Sequence, residues 1–183
     1  MNLNCTYRFI FFNKISVFFL LFFCSSFKIN AQELNYKAYS LYVYNFMKYV
    51  DWPDNQNQGD FIIMVLGKSK IEKELRIMSS QKKIRGRNII VKLISSIDEI
   101  TNCQLLYLSQ EKSSLIKDLN NRFKNKGILV VGEKDGLANK GASLSFATLE
   151  NDELSFDINK KMISQQNLKI SESLIKLGFV VVE

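Results

Sequence analysis

The stretch FIIMVLG, residues 61–67, decides the fold. Six apolar residues stand in a row and a glycine ends the run, a pattern typical of a strand buried on both faces of a sheet. Runs of the same kind follow at residues 104–109 and 127–131. Strands covered on both sides belong to parallel sheets with helices on each face, so the sequence predicts an α/β protein.

Segments with the apolar spacing of helices separate these strands. The first covers residues 34–50 and ends before Trp52-Pro53, because the residue before a proline avoids the helical conformation. Ser69 and Glu72 give a capping-box pattern for a second helix. Further helices are predicted at 97–100, 112–123, 160–165 and 171–181, the last as a closing helix, and a further strand at 88–94.

Two more strands, at residues 142–149 and 153–158, are joined by Asn151-Asp152, which suits a hairpin turn. The alternation of strands and helices followed by this hairpin predicts a three-layer sandwich with a mostly parallel central sheet and a C-terminal antiparallel hairpin. The sequence contains no internal repeat and no interdomain linker. Residues 32–183 are therefore expected to form one α/β domain.

The first 31 residues have the pattern of a secretory signal. Arg8 and Lys14 precede an apolar run at 15–23, and Ala31 offers a small residue before Gln32. The run is shorter than the roughly 20 residues that a membrane helix needs. An uncleaved anchor and a lipid anchor at Cys24 remain as alternatives. We expect cleavage near residue 31 and a mature chain that works outside the cytoplasm.

The composition narrows the classes of function. The chain has no histidine, the commonest general base and metal ligand at neutral pH. It has no Gly-x-Ser-x-Gly elbow and no metal-ligand spacing, so we predict no catalytic residue, metal or cofactor. Three cations of the formal +7 charge lie in the first 31 residues, and the surplus of about +4 that remains is spread out. A nucleic-acid-binding protein usually shows a denser basic stripe.

The segment Arg85-Gly86-Arg87 is the first candidate for binding. Glycine lets a ligand approach the backbone, and two guanidinium groups suit a carboxylate or a phosphate on a small anionic ligand or a partner. The alternative is a solvated basic turn. The loop Gly132-Glu133-Lys134-Asp135-Gly136 lacks the ending of a nucleotide-binding loop and is expected to be a plain connection.

The opening helix is the second candidate, because its aromatic residues exceed one stripe. Tyr39, Tyr44 and Trp52 belong to this set. Either the excess forms a partner surface or the fold covers both sides of the helix. Cys103 is the cysteine left after cleavage, and burial as a small hydrophobe is preferred over pairing with a second chain.

The mature chain resembles the YfiR-like family of periplasmic regulatory proteins. The resemblance rests on several blocks in order: residues 37–53, 62–67, 84–87, 103–108, 141–146, 154–159 and 168–177. The most specific combination is the helix ending in Trp52-Pro53, with Phe156-Asp157-Ile158-Asn159 and Leu168-Lys169-Ile170-Ser171 at this spacing.

The resemblance implies a periplasmic protein that does no chemistry. It implies binding to the periplasmic sensor part of an inner-membrane diguanylate cyclase or sensor kinase, repression of that enzyme, and effects on cyclic-di-GMP and biofilm. Some members of the family look dimeric, so a homodimer is one expectation. The alternative function is a periplasmic small-molecule-binding module without a membrane partner. Only Cys103 matches a family cysteine position, so the redox switch of the best-known members is not carried over to this chain.

Overall fold

A computed structural model describes residues 35–150 and 153–183. The predicted secretory signal, its cleavage site, Cys24 and the predicted hairpin turn at Asn151-Asp152 lie outside these residues. Within the described part of the chain, no helix combines the length and the apolar character needed to cross a membrane.

Most of the helices and strands follow one another along the chain as the apolar patterns predict. The helices are α1 (Tyr36–Tyr49), α2 (Ile71–Gln81), α3 (Ile116–Arg122), α4 (Lys160–Gln165) and α5 (Glu172–Ile175). The strands are β1 (Val50–Asp51), β2 (Phe61–Leu66), β3 (Ile89–Ile94), β4 (Leu105–Leu108), β5 (Leu129–Gly132), β6 (Leu144–Thr148), β7 (Leu154–Asn159), β8 (Lys169–Ile170) and β9 (Phe179–Val182). Short 3-10 helices occupy Asp54–Gln56, Ile97–Glu99, Gln110–Leu115 and Ala138–Lys140.

The main sheet has seven strands in the order β3-β2-β4-β5-β6-β7-β9. The first five strands of that order are parallel to one another, and β6 and β7 form an antiparallel pair. β9 then runs parallel to β7. The mostly parallel sheet and the antiparallel pair confirm the predicted α/β fold.

Helices cover both faces of the sheet because the central strands alternate two apolar sets. Ile63 and Val65 of β2 pack in a core with α1 and α2, whereas Met64 and Leu66 pack in a second core with α3. The two cores with the sheet between them make the three predicted layers.

The predicted closing helix over 171–181 is wrong in its second half. Only α5 is helical, and after Gly178 the chain forms the edge strand β9. The run FVVV favours a strand because β-branched side chains pack well on a pleated surface. A Cβ on Gly178 would collide with the ring of Phe156, so a glycine is needed where the chain joins the sheet.

Sequence analysis also missed a small second sheet. β1 pairs with β8 in antiparallel fashion, Val50 against Ile170 and Asp51 against Lys169. This pairing fastens the end of α1 to the segment after α4, and Ser171 N donates to Tyr49 O at 3.0 Å.

Candidate functional site

The predicted binding segment at residues 84–87 is a tight turn. Ile84 and Arg87 exchange both backbone hydrogen bonds, at 3.1 and 2.9 Å. The two residues between them both have positive φ, 50° at Arg85 and 80° at Gly86. Two positive φ values in succession are the pattern of a type I′ turn, which asparagine and glycine adopt readily and arginine does not.

Arg85 leaves the turn towards the end of α1. Its guanidinium donates to Val50 O at 3.2 Å and pairs with the carboxylate of Asp51. Both side chains of this ion pair are exposed. Arg85 therefore presents a charged group at the surface beside the β1–β8 sheet.

Arg87 points the other way and is held by the loop before β2. Its guanidinium donates to the backbone carbonyls of Gln56, Gln58, Gly59 and Asp60 at 2.6 to 3.1 Å. It also lies over the ring of Phe61, 5.4 Å from the centroid. Four carbonyl acceptors use most of the five N–H donors of an arginine, so these contacts fix the loop.

The aromatic candidates divide into buried and accessible residues. Tyr39 is buried and stacks on Phe146 at 4.0 Å. Trp52 is also buried, and its Nε1 donates to Gln104 O at 3.1 Å. Tyr44 is half-buried, with Lys82 Nζ 4.8 Å from its ring centroid. Of the three, only Tyr44 offers its ring to a partner in this conformation.

Cys103 is a fully buried free thiol, as preferred from the sequence. It packs in the second core with Met64, Leu106 and Ile116. Burial raises the pKa of the thiol to about 12, against a smaller opposing effect of Lys92. Because the thiolate is the reactive form, this environment disfavours oxidation or disulfide exchange in the folded protein.

The carboxyl ends of β2 and β4 form the crevice in which α/β proteins commonly bind a ligand. α2 leaves β2 on one face of the sheet and α3 leaves β4 on the other, so the connections diverge there. Two carboxylates of the chain itself fill this crevice. Glu111 accepts from Lys68 N, and Glu133 accepts from the Ser69 hydroxyl and from Gln110 N, each at 2.8 Å.

Three tyrosines lie near Glu133 in this crevice, namely Tyr36 and Tyr39 of α1 and Tyr107 of β4. Burial and then the charge of Glu133 raise the pKa of Tyr36 to about 12 and the pKa of Tyr107 well above its usual value. The hydroxyl of Tyr107 is buried and has no hydrogen-bond partner among the described residues. The carboxylates of Glu111 and Glu133 therefore occupy the crevice and repel an anionic ligand.

An open groove lies at the other end of the strands, where β4 and β5 begin. Its volume is about 570 Å³, and four parts of the chain form its walls, namely Pro53 with Asn55 and Gln56, residues 100–102, Phe123 with residues 125–128, and Asn167. Buried glutamines hold these segments together. Gln56 Nε2 donates to Asn102 Oδ1 and to Lys126 O, both at 3.0 Å. Gln166 Oε1 accepts from Lys126 N and Ile128 N.

Sequence analysis did not find the crevice carboxylates or the groove. Glu133 was assigned to a plain connection, and Glu111 was not singled out. The groove combines four segments that are far apart in the sequence. The available signal was indirect: Asn167 directly follows the C-cap of α4, a position that asparagine shares with glycine.

Comparison with known proteins gives one family and one distant structure. A family model described as YfiR/HmsC-like matches residues 36–178, well over half of the chain. No curated protein matches the sequence significantly. Among solved structures, the chain is similar to the ABC domain in complex with L-Trp from Streptococcus pneumonia, with 12% identity and a TM-score of 0.46. That similarity covers 64% of this chain and 54% of the other, so the chain spans about half of its length.

Proposed function

The chain belongs to the YfiR/HmsC-like family of periplasmic regulators of diguanylate cyclases, and from that membership we propose that it binds and represses one particular inner-membrane signalling enzyme. The partner is the periplasmic sensor part of a diguanylate cyclase or a sensor kinase. The protein does no chemistry in this role. Export through a cleaved signal peptide brings it to the periplasm, and release of the partner raises the output of the enzyme.

The observation that carries this proposal is a basic and aromatic surface at the end of α1. We call it the Arg85 surface and define it as Tyr44, Lys48, Lys82 and Arg85. The three cations are exposed, and Lys82 lies over the ring of Tyr44. Arginine and aromatic residues are enriched at protein interfaces, and a basic surface suits an acidic segment on the partner.

The backbone of Arg85 supports a role in binding. A non-glycine residue with φ of 50° is strained, and such strain concentrates at binding sites. Asparagine in the same turn would avoid much of the strain, so the guanidinium is the part of the residue that the stability of the turn does not require. Gly86 has open space around its Cα, which leaves the backbone of the turn accessible.

The test is a pull-down of the tagged protein after crosslinking in whole cells, with mass spectrometry of the captured proteins. We expect one inner-membrane protein with a periplasmic sensor and a cytoplasmic cyclase or kinase domain. Arg85→Asn should reduce its capture about tenfold, the loss typical of a charged interface contact. Arg122→Asn is the matched control, because Arg122 also forms an exposed ion pair, with Asp98, on another element.

Recovery of the tagged protein alone would contradict the proposal. Equal losses for the Arg85 and Arg122 variants would instead show that the effect is a general one of charge and not of the Arg85 surface.

A homodimer is part of the same proposal. β9 is an edge strand of the sheet, and Phe179 on it and Leu177 before it are among the exposed large apolar residues. An unprotected apolar edge favours pairing with another strand. Sedimentation velocity at increasing protein concentration tests it, and a single monomeric species throughout would refute it.

The second candidate function is a free-standing small-molecule-binding module. The open groove of about 570 Å³ favours it, since ligand sites commonly have volumes of this size. An anionic ligand at residues 85–87 would depend on Arg85, because the donors of Arg87 are engaged by loop carbonyls. A thermal-shift screen with anionic metabolites tests whether an anionic ligand binds at residues 85–87, and an absence of stabilisation would count against it.

A further inference from the structure

The open groove at the beginning of β4 and β5 has the chemistry of a site for a neutral polyhydroxylated ligand. Its lining contains five side-chain amides, namely Asn55, Gln56, Asn102, Asn125 and Asn167. Among the described residues, those that line the groove include one cation, Lys126, and no acidic residue. One lysine provides too little charge to bind a multiply charged anion, and the lining offers no carboxylate to bind a cation. Amides both donate and accept hydrogen bonds, as the hydroxyl groups of a sugar do.

Three of these amides have unused hydrogen-bonding capacity. The side chains of Asn55, Asn125 and Asn167 make no hydrogen bond to another described residue. Phe123 adds a half-buried aromatic side chain to the lining. Free amides next to an aromatic side chain match a ring that carries hydroxyl groups at its edge and C–H groups on its face.

Two of these asparagines have the left-handed backbone conformation. Asn125 and Asn167 have φ of 59° and 55°. Asn167 directly follows the C-cap of α4, whereas Asn125 lies in the turn three residues after the end of α3. Glycine would serve this conformation at least as well, without a side chain, so the backbone at these turns does not explain why two amides line the same groove.

Hydrogen bonds hold the floor of the groove together and connect it to the turn at residues 84–87. Gln56 O accepts from Arg87 at 3.0 Å, and the side chain of Gln56 is bonded to Asn102, Lys126 and Gln104. Gly127 has φ of 70°, and a Cβ there would lie 3.2 Å from Gln56 Cγ. A ligand in the groove thus contacts a residue that Arg87 ties to the turn at 84–87.

We propose that this groove binds a neutral saccharide of one or two rings through the amides of Asn55, Asn125 and Asn167. The ligand class follows from the amide-rich, nearly uncharged lining, the aromatic side chain and the volume. The site is separate from the Arg85 surface, so its failure would leave the proposed partner binding untouched.

The test is ligand-observed NMR on the purified mature protein with two probes, N,N′-diacetylchitobiose and cellobiose, and with trialanine as a peptide. Trp52 is the single tryptophan of the chain and precedes Pro53 of the groove, so its emission gives a second readout. We expect saturable binding of at least one disaccharide at about 0.1–10 mM, the range for a small ligand in an open site.

The decisive variant is Asn125→Gly with Asn167→Gly, which keeps both positive φ values and removes both amides. We expect affinity to fall at least tenfold, as on the order of one kcal/mol is lost with each hydrogen-bonding amide. Asn121→Ala, an exposed amide on α3 outside the groove, is the control and should bind as the wild type does. No saturation by either disaccharide, binding of trialanine alone, or unchanged affinity in the glycine variant would each overturn the proposal.

Discussion

Arg85 and Arg87 show what a sequence can and cannot predict for single residues. Both arginines were singled out from their spacing around Gly86, and nothing in that spacing distinguishes them. The type I′ turn sends one guanidinium to Asp51 at the surface and the other into a ring of loop carbonyls. Their contacts differ because the acceptors come from other segments, which a local pattern does not reveal.

The strain at Arg85 gives the first prediction. Arg85→Ala and Arg85→Asn remove the same guanidinium contacts, but only alanine keeps the full cost of a φ of 50°. We expect the asparagine variant to be more stable than the alanine variant by about 1 kcal/mol, the difference in their tolerance of this region. Urea unfolding measures it. Equal free energies of unfolding would show that the turn relaxes when the arginine is removed.

The buried thiol gives a prediction on pH. The pKa of Cys103 is raised from 9.0 to about 12 in the folded protein, so above pH 9 the unfolded chain loses a proton that the folded protein keeps. The free energy of unfolding should therefore fall as pH rises from 9, by up to about 1.4 kcal/mol per pH unit. Urea unfolding at pH 8, 9 and 10 checks this.

Cys103→Ala separates this effect from other titrations. The variant should start from a lower stability, since a small cavity replaces the sulfur, but lose less on going from pH 9 to 10. Identical slopes for the two proteins would contradict the assignment. Slow reaction with a thiol reagent at pH 8, compared with the urea-unfolded chain, is expected for the same reason.

Among the secondary-structure elements, those defined by their own residues were predicted best. β2 was expected at residues 61–66 and has those bounds, because a central strand needs an uninterrupted apolar run. β1 and β8 have two residues each, and they are strands only because Val50 meets Ile170 across the fold. The segment 171–181 begins with helical spacing. Its second half is a strand because it pairs with β7, which lies elsewhere in the chain.

The junction before β9 can be tested by substitution. A Cβ on Gly178 would overlap the ring of Phe156, so Gly178→Ala should destabilise the protein by about 1–3 kcal/mol through overpacking. In a Phe156→Leu background the same change should cost less, because the smaller side chain leaves room. Thermal and urea unfolding of the four proteins give the coupling. Equal costs in both backgrounds would exclude the Phe156 ring as the cause.

For the whole molecule, the sequence patterns predicted the layers of the fold but did not predict the sites on its surface. Strand and helix alternation predicted the sandwich and the antiparallel pair, since these follow from the order of elements. The closed crevice and the open groove depend on loops that meet from four or more parts of the chain. Sequence analysis therefore placed a candidate ligand site at residues 85–87 and did not predict the crevice or the groove.

The described fold begins at Asn35, whose side chain caps α1 by accepting from Ala38 N at 3.1 Å. A chain that starts at Gln32 includes this cap. We expect the exported protein to begin at or near Gln32, as shown by intact mass and N-terminal sequencing. The same chain produced without residues 1–31 should unfold in one cooperative transition at the same temperature. A membrane-bound protein of full length would instead favour an uncleaved anchor.

The side chains of Glu111 and Glu133 occupy the place that an anionic ligand would take in the crevice at the ends of β2 and β4. The backbone N–H groups of Lys68 and Gln110 and the hydroxyl of Ser69 donate to these carboxylates, and donors of the same kind also bind phosphates. Both glutamates can be replaced with alanine, and phosphate can then be added to take the place of the lost carboxylates. Stability lost in the double variant should return as the phosphate concentration rises, so that folding of this protein would depend on the anion.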